Sequence, residues 1–390
     1  MDATRNPYSP GPGLAPPALA GREDDLRAFD TILGRAEHGL ASSPLMLVGL
    51  RGVGKTVLLR AFRQRAEAAG WHALSLEGET GAGAEARVAA RTARELDLLS
   101  LKFRRRRGRA GFARALASIE TFSVNAGVTG AGLTVASRPK APEAFDFELR
   151  LFEVVDCLAD RLMRDRAGLA VFVDEFQDLP PVAAGALVGV QHAASQRGWP
   201  FYVIGAGLPN LPSVLARLRS YTERYAYRTI GRLDDAAASA AVVGPAERLG
   251  VEIADGAARL MVAEARGYPF FLQTFAYEAW LAGADDRIEP DDAEVAISRG
   301  YDALEGFFSA RWDRATRAER EVLRAMAEQA PAPSPVTALA ARLGKPVGSL
   351  GPPRRSLIDK GLVYVPERGR LDFTALGMAD WITRQDPPTR

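Results

Sequence analysis

The chain has 390 residues, enough for two or three domains, and its 47% hydrophobic and 25% charged residues are typical of a folded globular protein. The single cysteine, Cys157, excludes an internal disulfide and a cysteine-rich zinc site, and the formal net charge of +2 does not by itself predict a nucleic-acid partner. No apolar run reaches the roughly 20 residues of a membrane span, and the first residues lack a signal-peptide pattern. We therefore expect a cytoplasmic protein without a membrane partner.

Residues 1–20 are rich in Pro, Gly and Ala and have no apolar period, which predicts a flexible tail. Folded structure is predicted to begin near Gly21-Arg22-Glu23, at the start of a helix. The apolar residues that share one face of this helix are Leu26, Phe29, Ile32 and Leu33.

Residues 49–56 read Gly-Leu-Arg-Gly-Val-Gly-Lys-Thr and fit the pattern of a phosphate-binding loop (P-loop). A strand-like run at 44–48 precedes the loop and a helix-like run at 56–62 follows it, the order that the motif requires. Lys55 would reach the β- and γ-phosphates of ATP, and the Thr56 hydroxyl would hold Mg²⁺. The other residues predicted to bind the nucleotide, mainly through backbone N–H groups, are Gly49, Arg51, Gly52, Val53, Gly54 and Val57.

A strand is predicted at 71–77 and a helix at 84–99. They are followed by the densest basic run of the chain, residues 102–109 with Arg114 beyond it. Two interpretations of this run are about equally supported. It contacts a nucleic-acid backbone, or it is a solvated face or a site for an acidic partner. Residues 119–137 alternate apolar and polar around glycines, a hairpin pattern. We interpret about 100–140 as an insertion in the core.

A second apolar run, at 168–178, follows a predicted helix at 144–164 and ends in Asp174 and Glu175. Carboxylates at the C-terminal end of a buried parallel strand emerge at the edge where ligands bind. Asp174 would support Mg²⁺, and Glu175 would orient and polarise the attacking water. The alternative, ordinary surface acids, is disfavoured by the P-loop upstream, since both motifs should meet at one edge.

Another buried strand is predicted at 200–207, and residues 232–310 are predicted to be helical. Within this helical part, Gly267-Tyr-Pro-Phe opens a strongly apolar helix, in which Pro269 is tolerated because the first turn needs no N–H donor. We interpret 232–310 as a lid over the nucleotide because it directly follows the core. A helical domain without a nucleotide role is the alternative.

The C-terminal part, 311–390, predicts three helices and a two-stranded hairpin that turns at 368–369, the arrangement of a winged helix-turn-helix. It holds 14 Lys or Arg residues against 9 Asp or Glu residues. The residues predicted to contact phosphates of double-stranded DNA are Arg354, Arg355, Lys360, Arg368 and Arg370. Pro352 and Pro353 interrupt the start of the third helix, and winged helices also bind proteins, so a protein partner stays open.

In this order the motifs resemble an AAA+ ATPase of the initiator type, similar to archaeal and bacterial ATPases related to the origin-recognition clade. The resemblance covers roughly residues 20–385. It implies an α/β P-loop NTPase fold with a five-stranded parallel sheet, a helical lid and a C-terminal winged helix-turn-helix, with ATP and Mg²⁺ bound between core and lid. The corresponding boundaries are 21–231 for the core, 232–310 for the lid and 311–390 for the winged helix.

Further site residues follow only from the resemblance. Asn210 is the nearest polar candidate for a sensor of the γ-phosphate, and Arg224 lies where an arginine finger acts on a neighbouring subunit. Charged surface is the alternative interpretation of Arg224 and the slightly favoured one. Phe270 stands where initiator ATPases carry a sensor arginine. The Gly-x-Pro pattern at 267–269 is instead similar to signalling (STAND-type) NTPases, in which the proline lies near the adenine.

These features together predict an ATP-hydrolysing, DNA-associated switch that binds ATP or ADP and self-associates in ATP. An initiator, a transposition regulator and a defence component all fit this description. The departures at Asn210 and Phe270 favour slow hydrolysis. The alternative is a STAND-like signalling or scaffold switch whose winged helix binds protein.

Overall fold

The computed structural model describes residues 1–11, 13–104, 144–284, 286–329, 332–375 and 377–385. The predicted hairpin at 119–137 and all but the first part of the basic run at 102–114 lie outside these residues. The chain divides into two compact units. The sheet unit comprises residues 22–48 and 55–229, and the helical unit comprises residues 1–21, 49–54 and 230–390.

The sheet unit contains five parallel strands in the order β2-β3-β4-β1-β5. Their bounds are β1 Leu45–Val48, β2 His72–Glu77, β3 Leu169–Asp174, β4 Phe201–Gly207 and β5 Ala226–Thr229. The central strands β1 and β4 are buried throughout, because helices cover both faces of a parallel sheet and its strands therefore read as continuous apolar runs. This confirms the predicted α/β P-loop NTPase class.

Strands β1 and β3, which precede the P-loop and end in Asp174, both pair with β4, so β4 separates their ends by one strand. Val48 is paired with Gly207, and Glu77 is paired with Asp174. Strand β5, which the sequence patterns did not predict, is four residues long and only partly buried at the sheet edge.

The helices of the sheet unit are α1 Glu23–Glu37, α2 Lys55–Ala68, α3 Ala84–Arg104, α4 Ala144–Asp165, α5 Pro181–Arg197 and α6 Leu211–Leu218. Helix α1 uses the predicted apolar face: Phe29 is fully buried and stacks on Phe62 of α2, with 4.5 Å between ring centroids. Short 3-10 turns cover Phe176–Asp178 and Ser220–Arg224.

The helical unit is built from many short helices. They are α7 Asp235–Glu247, α8 Asp255–Ala265, α9 Pro269–Ala282, α10 Pro290–Ala303, α11 Glu305–Asp313, α12 Arg317–Ala327, α13 Val336–Arg342, α14 Gly351–Asp359 and α15 Met378–Gln385. Phe271 of α9, Phe308 of α11 and Trp381 of α15 form one aromatic cluster. The predicted boundary between residues 310 and 311 therefore falls inside α11, in a region of shared core.

Short strands complete the helical unit. They are β6 Glu252–Ile253, β7 Arg287–Ile288, β8 Ser334–Pro335, β9 Val363–Tyr364 and β10 Arg370–Phe373. Strand β10 pairs antiparallel with both β8 and β9. Helix α14 begins at Gly351 and is not interrupted by Pro352 and Pro353, because both lie in its first turn, where no intrahelical donor is needed.

The flexible tail expected at residues 1–20 is not what the structure shows. Tyr8 is 2% exposed, and its hydroxyl donates to the carbonyl of Val242. Asn6 Nδ2 donates to the Tyr277 carbonyl at 3.1 Å, and Trp280 Nε1 donates to the Asp2 carbonyl at 2.9 Å. This segment is thus packed on α7 and α9. Among the residues described, no helix is both long and apolar enough to cross a membrane.

Candidate functional site

The sheet unit brings the first residues of α2 and the end of β3 together. Lys55 is 7% exposed, and the Thr56 side chain is hydrogen-bonded to Asp174. Burial raises the pKa of the Asp174 carboxyl, and the neighbouring Glu175 adds to the rise, whereas the Thr56 hydrogen bond and the Lys55 charge oppose it. Two motifs more than a hundred residues apart therefore share one edge of the sheet.

The end of β3 has an unusual backbone. Glu175 adopts φ 44° and ψ 47°, the left-handed region that non-glycine residues rarely occupy, and its N–H donates to Asp174 Oδ1 at 2.9 Å. Gly78 N–H donates to the Asp174 carbonyl at 2.8 Å, and a Cβ at position 78 would lie 2.0 Å from the Glu175 carbonyl oxygen. Only glycine fits beside this turn.

Gln177 ties Glu175 to the end of β4. Its Nε2 donates to Glu175 Oε2 at 2.6 Å and to Asp178 Oδ2 at 3.1 Å, and its Oε1 accepts from Leu208 N–H at 3.0 Å. We did not single out Gln177 from the sequence. The sequence feature that could have indicated it is its position, two residues after Glu175, the acid that is predicted to act on water.

Asn210, the predicted sensor, lies at the N-terminal end of α6, just beyond β4. Its Oδ1 is buried, and no hydrogen-bond partner for it lies among the described residues. A buried acceptor without a donor is costly, so an incoming N–H or O–H group would be stabilised there. Arg224, the predicted arginine finger, is exposed at the end of the 3-10 turn after α6.

The helical unit contains the first six residues of the P-loop, 49–54. Gly52 and Gly54 have φ values of 80° and 93°, which side-chain-bearing residues rarely adopt. Gly49 lies so close to the Ile230 carbonyl that a Cβ there would be 2.2 Å from the oxygen. These glycines are therefore required by the backbone path of the loop, and Val53 is buried beneath it.

Two backbone hydrogen bonds fasten the same loop segment to distant parts of the helical unit. Phe270 N–H donates to the Gly52 carbonyl at 3.3 Å, and Arg51 N–H donates to the Thr374 carbonyl at 3.2 Å. Pro269, predicted to lie near the adenine, is the first residue of α9 and directly precedes Phe270. The start of the predicted lid helix thus lies beside the P-loop.

The five basic residues predicted to contact DNA differ in their surroundings. Lys360 Nζ lies 2.6 Å from Glu319 Oε2, and the Glu319 side chain is only 5% exposed. This ion pair holds the Lys360 ammonium within the C-terminal part. Arg370 Nη1 donates to the Pro333 carbonyl at 3.3 Å. Arg355 and Arg368 are exposed, and Arg354 is half-buried.

The oxygen ligands at the sheet edge fit a magnesium ion. The Thr56 hydroxyl and the Asp174 carboxylate are in direct contact, and hydroxyl and carboxylate oxygens are the ligands that Mg²⁺ prefers. Within the described ranges, no group of three or more His, Cys, Asp or Glu residues could hold a metal. A site with few protein oxygens is the kind that Mg²⁺ completes with substrate phosphates and water.

Comparison with protein families gives two matches. Residues 18–204 match the model of the AAA ATPase domain. Residues 305–382 match a domain of unknown function, and this match begins at the first residue of α11. A search among curated proteins gave no match.

Solved structures give a fold relationship. A Walker-type ATPase of Pyrococcus abyssi superposes with a TM-score of 0.62 at 16% identity, over 93% of this chain and 96% of that one. The RuvB Holliday junction branch migration motor of Thermotoga maritima gives 0.45 at 16% identity, over 95% and 99%. The Orc1 protein of Aeropyrum pernix, solved in complex with DNA, gives 0.45 at 18% identity, over 95% and 94%. The superposition on the Pyrococcus abyssi protein shows the shared fold.

The sheet order and the superposition on the Pyrococcus abyssi protein show a P-loop NTPase fold, and residues 18–204 are similar to the AAA ATPase domain.

Proposed function

We propose that the protein binds and hydrolyses ATP as an AAA+-type ATPase and acts as a nucleotide-dependent switch associated with DNA. The observation that carries the ATPase part is the hydrogen bond between Thr56 and Asp174. It joins the residue after the P-loop lysine to the acid at the end of β3, which is the pairing that phosphoryl transfer from a magnesium nucleotide requires.

In this proposal the backbone N–H groups of residues 52–57 surround the phosphates, and Lys55 neutralises their charge. Thr56 and Asp174 would hold Mg²⁺, which when bound offsets negative charge on the phosphates. Glu175 accepts the proton of a water whose oxygen attacks the γ-phosphorus. The bond between the γ-phosphorus and the bridging oxygen breaks, and ADP and inorganic phosphate leave.

Asn210, Pro269 and Arg224 have supporting roles. Asn210 would report on the γ-phosphate from the end of β4, and Pro269 would lie against the adenine. Arg224 is exposed and would act on the nucleotide of a neighbouring copy when the protein self-associates in ATP.

The switch is supported by the backbone contacts of the P-loop within the helical unit. Phe270 N–H and the Thr374 carbonyl bond to Gly52 and Arg51, so a change in the loop on phosphate binding alters contacts with both α9 and the C-terminal part. A ligand shifts such an equilibrium by its difference in affinity for the two arrangements.

For DNA we propose that α12 to α14 and the β9–β10 hairpin form a winged helix-turn-helix. Arg354 and Arg355 on α14 and Arg368 in the hairpin turn would contact phosphates, with Arg370 contributing less because it is tied to the Pro333 carbonyl. The loss of Lys360 to an ion pair reduces the basic surface and favours the second candidate, a signalling or scaffold switch whose winged helix docks on protein.

Titration with a fluorescent ATP analogue and with double-stranded DNA tests both parts. We expect magnesium-dependent ATP binding that Lys55→Ala abolishes, because the phosphates lose their cation. We expect DNA binding that weakens steeply between low and moderate salt, as phosphate neutralisation requires. ATP binding without any DNA binding would favour the protein-docking switch.

A further inference from the structure

Gln177 occupies a position in which every polar atom of its side chain is used. Both hydrogens of Nε2 are donated, to Glu175 Oε2 at 2.6 Å and to Asp178 Oδ2 at 3.1 Å. Its Oε1 accepts from Leu208 N–H at 3.0 Å. The amide is therefore fixed at both ends, with its oxygen on the backbone that follows β4 and its nitrogen on the acids that follow β3.

The neighbouring backbone makes room for this bridge. A Cβ at position 207 would lie 2.5 Å from Gln177 Oε1, so the glycine that ends β4 lets the amide approach the strand. Glu175 itself is in the left-handed region, with φ 44°, and its side-chain direction is set by that backbone conformation. The Glu175 carboxylate is therefore constrained both by its own backbone conformation and by the Gln177 amide.

We propose that Gln177 is a positioning residue for ATP hydrolysis, which orients the Glu175 carboxylate by anchoring its Oε2 to the backbone that follows β4. This inference rests on the proposed ATPase function. The base must be held in a fixed geometry, because a small misplacement of a reacting group costs a large factor in rate. An amide donor anchored on the backbone that directly follows β4 supplies that geometry.

Two substitutions separate this role from a merely structural one. Gln177→Glu keeps an oxygen for Leu208 N–H but removes the donor to Glu175, whereas Gln177→Met removes both. We expect each to lower kcat about 10- to 100-fold, the loss typical when a residue that orients a reacting group is removed. The affinity for ATP and Mg²⁺ should stay within about twofold in both variants, because Gln177 donates to neither ligand.

The matched control is Gln191→Glu. Gln191 on α5 is likewise bonded to the backbone of β4, where Val203 N–H donates to its Oε1 at 2.6 Å, but its Nε2 donates to Ser195 rather than to an acid. This change places a comparable charge against the same strand and should lower the melting temperature with little effect on kcat. Gly207→Ala, which pushes on Gln177 Oε1, should lower kcat as the Gln177 variants do.

The decisive measurement is single-turnover hydrolysis of bound ATP by the wild type, by Gln177→Glu and by Gln177→Met, alone and combined with Glu175→Gln. If Gln177 acts through Glu175, replacing Gln177 slows hydrolysis when Glu175 is present but causes no further loss of rate in the Glu175→Gln protein. Unchanged or faster turnover in the Gln177→Glu protein overturns the proposal, as does a loss confined to Gln177→Met or a parallel loss of ATP affinity. A wild type that binds ATP without hydrolysing it would instead overturn the proposed ATPase function, and this inference with it.

Discussion

The Thr56 side chain is hydrogen-bonded to the Asp174 carboxylate, across 117 intervening residues of the sequence. The contact exists because α2 begins after the loop 49–54 that follows β1, and parallel strands present their carboxyl ends at one edge. In the proposed function both oxygens would hold a magnesium ion bound to ATP.

The first prediction concerns the hydroxyl of Thr56. Thr56→Ala should weaken binding of ATP about 10- to 100-fold in Mg²⁺ but leave binding in EDTA unchanged, because only the metal loses a ligand. Isothermal titration under both conditions checks this. Thr56→Ser keeps the hydroxyl and should bind like the wild type. Equal weakening of Thr56→Ala with and without Mg²⁺ would contradict the assignment.

The second prediction concerns Gly78, beside the turn at Glu175. Gly78→Ala places a methyl group 2.0 Å from the Glu175 carbonyl oxygen, so the backbone must move. We expect a destabilisation of about 1–3 kcal/mol in urea unfolding, together with slower hydrolysis. Gly185→Ala on α5 is the control, since a methyl group there meets nothing within 4 Å and should be neutral or stabilising. Wild-type stability of Gly78→Ala would show that the turn is not constrained.

The third prediction concerns pH and the Glu319–Lys360 pair. Burial alone would raise the pKa of Glu319, but hydrogen bonds from Lys360, Ser356 and Thr316 outweigh it and lower this pKa to about 2, from an ordinary 4.5. A pKa that is lower in the folded state stabilises the fold above pH 4.5, and this contribution is lost as the pH falls toward 2. Unfolding measured between these values should show that decline.

Lys360→Met isolates the same pair. It leaves a buried carboxylate without its cation and should cost about 3 kcal/mol at pH 7, with the difference from the wild type shrinking below pH 4.5. Lys345→Met removes an exposed partner of Glu321 and should cost much less. A Lys360→Met protein with full stability and weaker DNA binding would restore Lys360 as a phosphate contact.

The fourth prediction concerns the DNA surface. Reversing Arg354 and Arg355 to Glu should weaken DNA binding and reduce the slope of log affinity against log salt by about 2, while ATP binding stays unchanged. The matched control reverses Arg259 and Arg299, which are exposed on α8 and α10, and alters net charge equally. If both double substitutions weaken DNA binding equally, overall charge explains the effect. If neither changes DNA binding, the C-terminal part does not take part in DNA recognition.

The site residues that the sequence predicted are those whose places follow from short local patterns. Lys55 and Asp174 each lie at the junction of an apolar run and a turn, so the pattern located them before any tertiary contact was known. Gln177 was not found because its role depends on a hydrogen bond from Leu208, 31 residues away and directly after β4. A local sequence pattern does not show which distant backbone group a side chain will contact.

The same limit explains two features outside the sheet that local patterns did not predict. Residues 1–20 lack an apolar period, yet Tyr8 anchors them to a carbonyl 234 residues away. Lys360 looked like a free cation in a basic segment, and only the fold brings the buried Glu319 within 2.6 Å of it. Long-range pairing of single side chains decides both cases.

ATP turnover by the wild type and by Glu175→Gln tests the central claim most directly, with release of inorganic phosphate measured beside nucleotide affinity. We predict slow but measurable hydrolysis by the wild type. The Glu175→Gln protein should bind ATP as tightly as the wild type and hydrolyse it at least about 100-fold more slowly, since the amide cannot accept the proton of the attacking water. Hydrolysis by Glu175→Gln at the wild-type rate would contradict the assignment of the base, and a wild type without any turnover would contradict the ATPase itself.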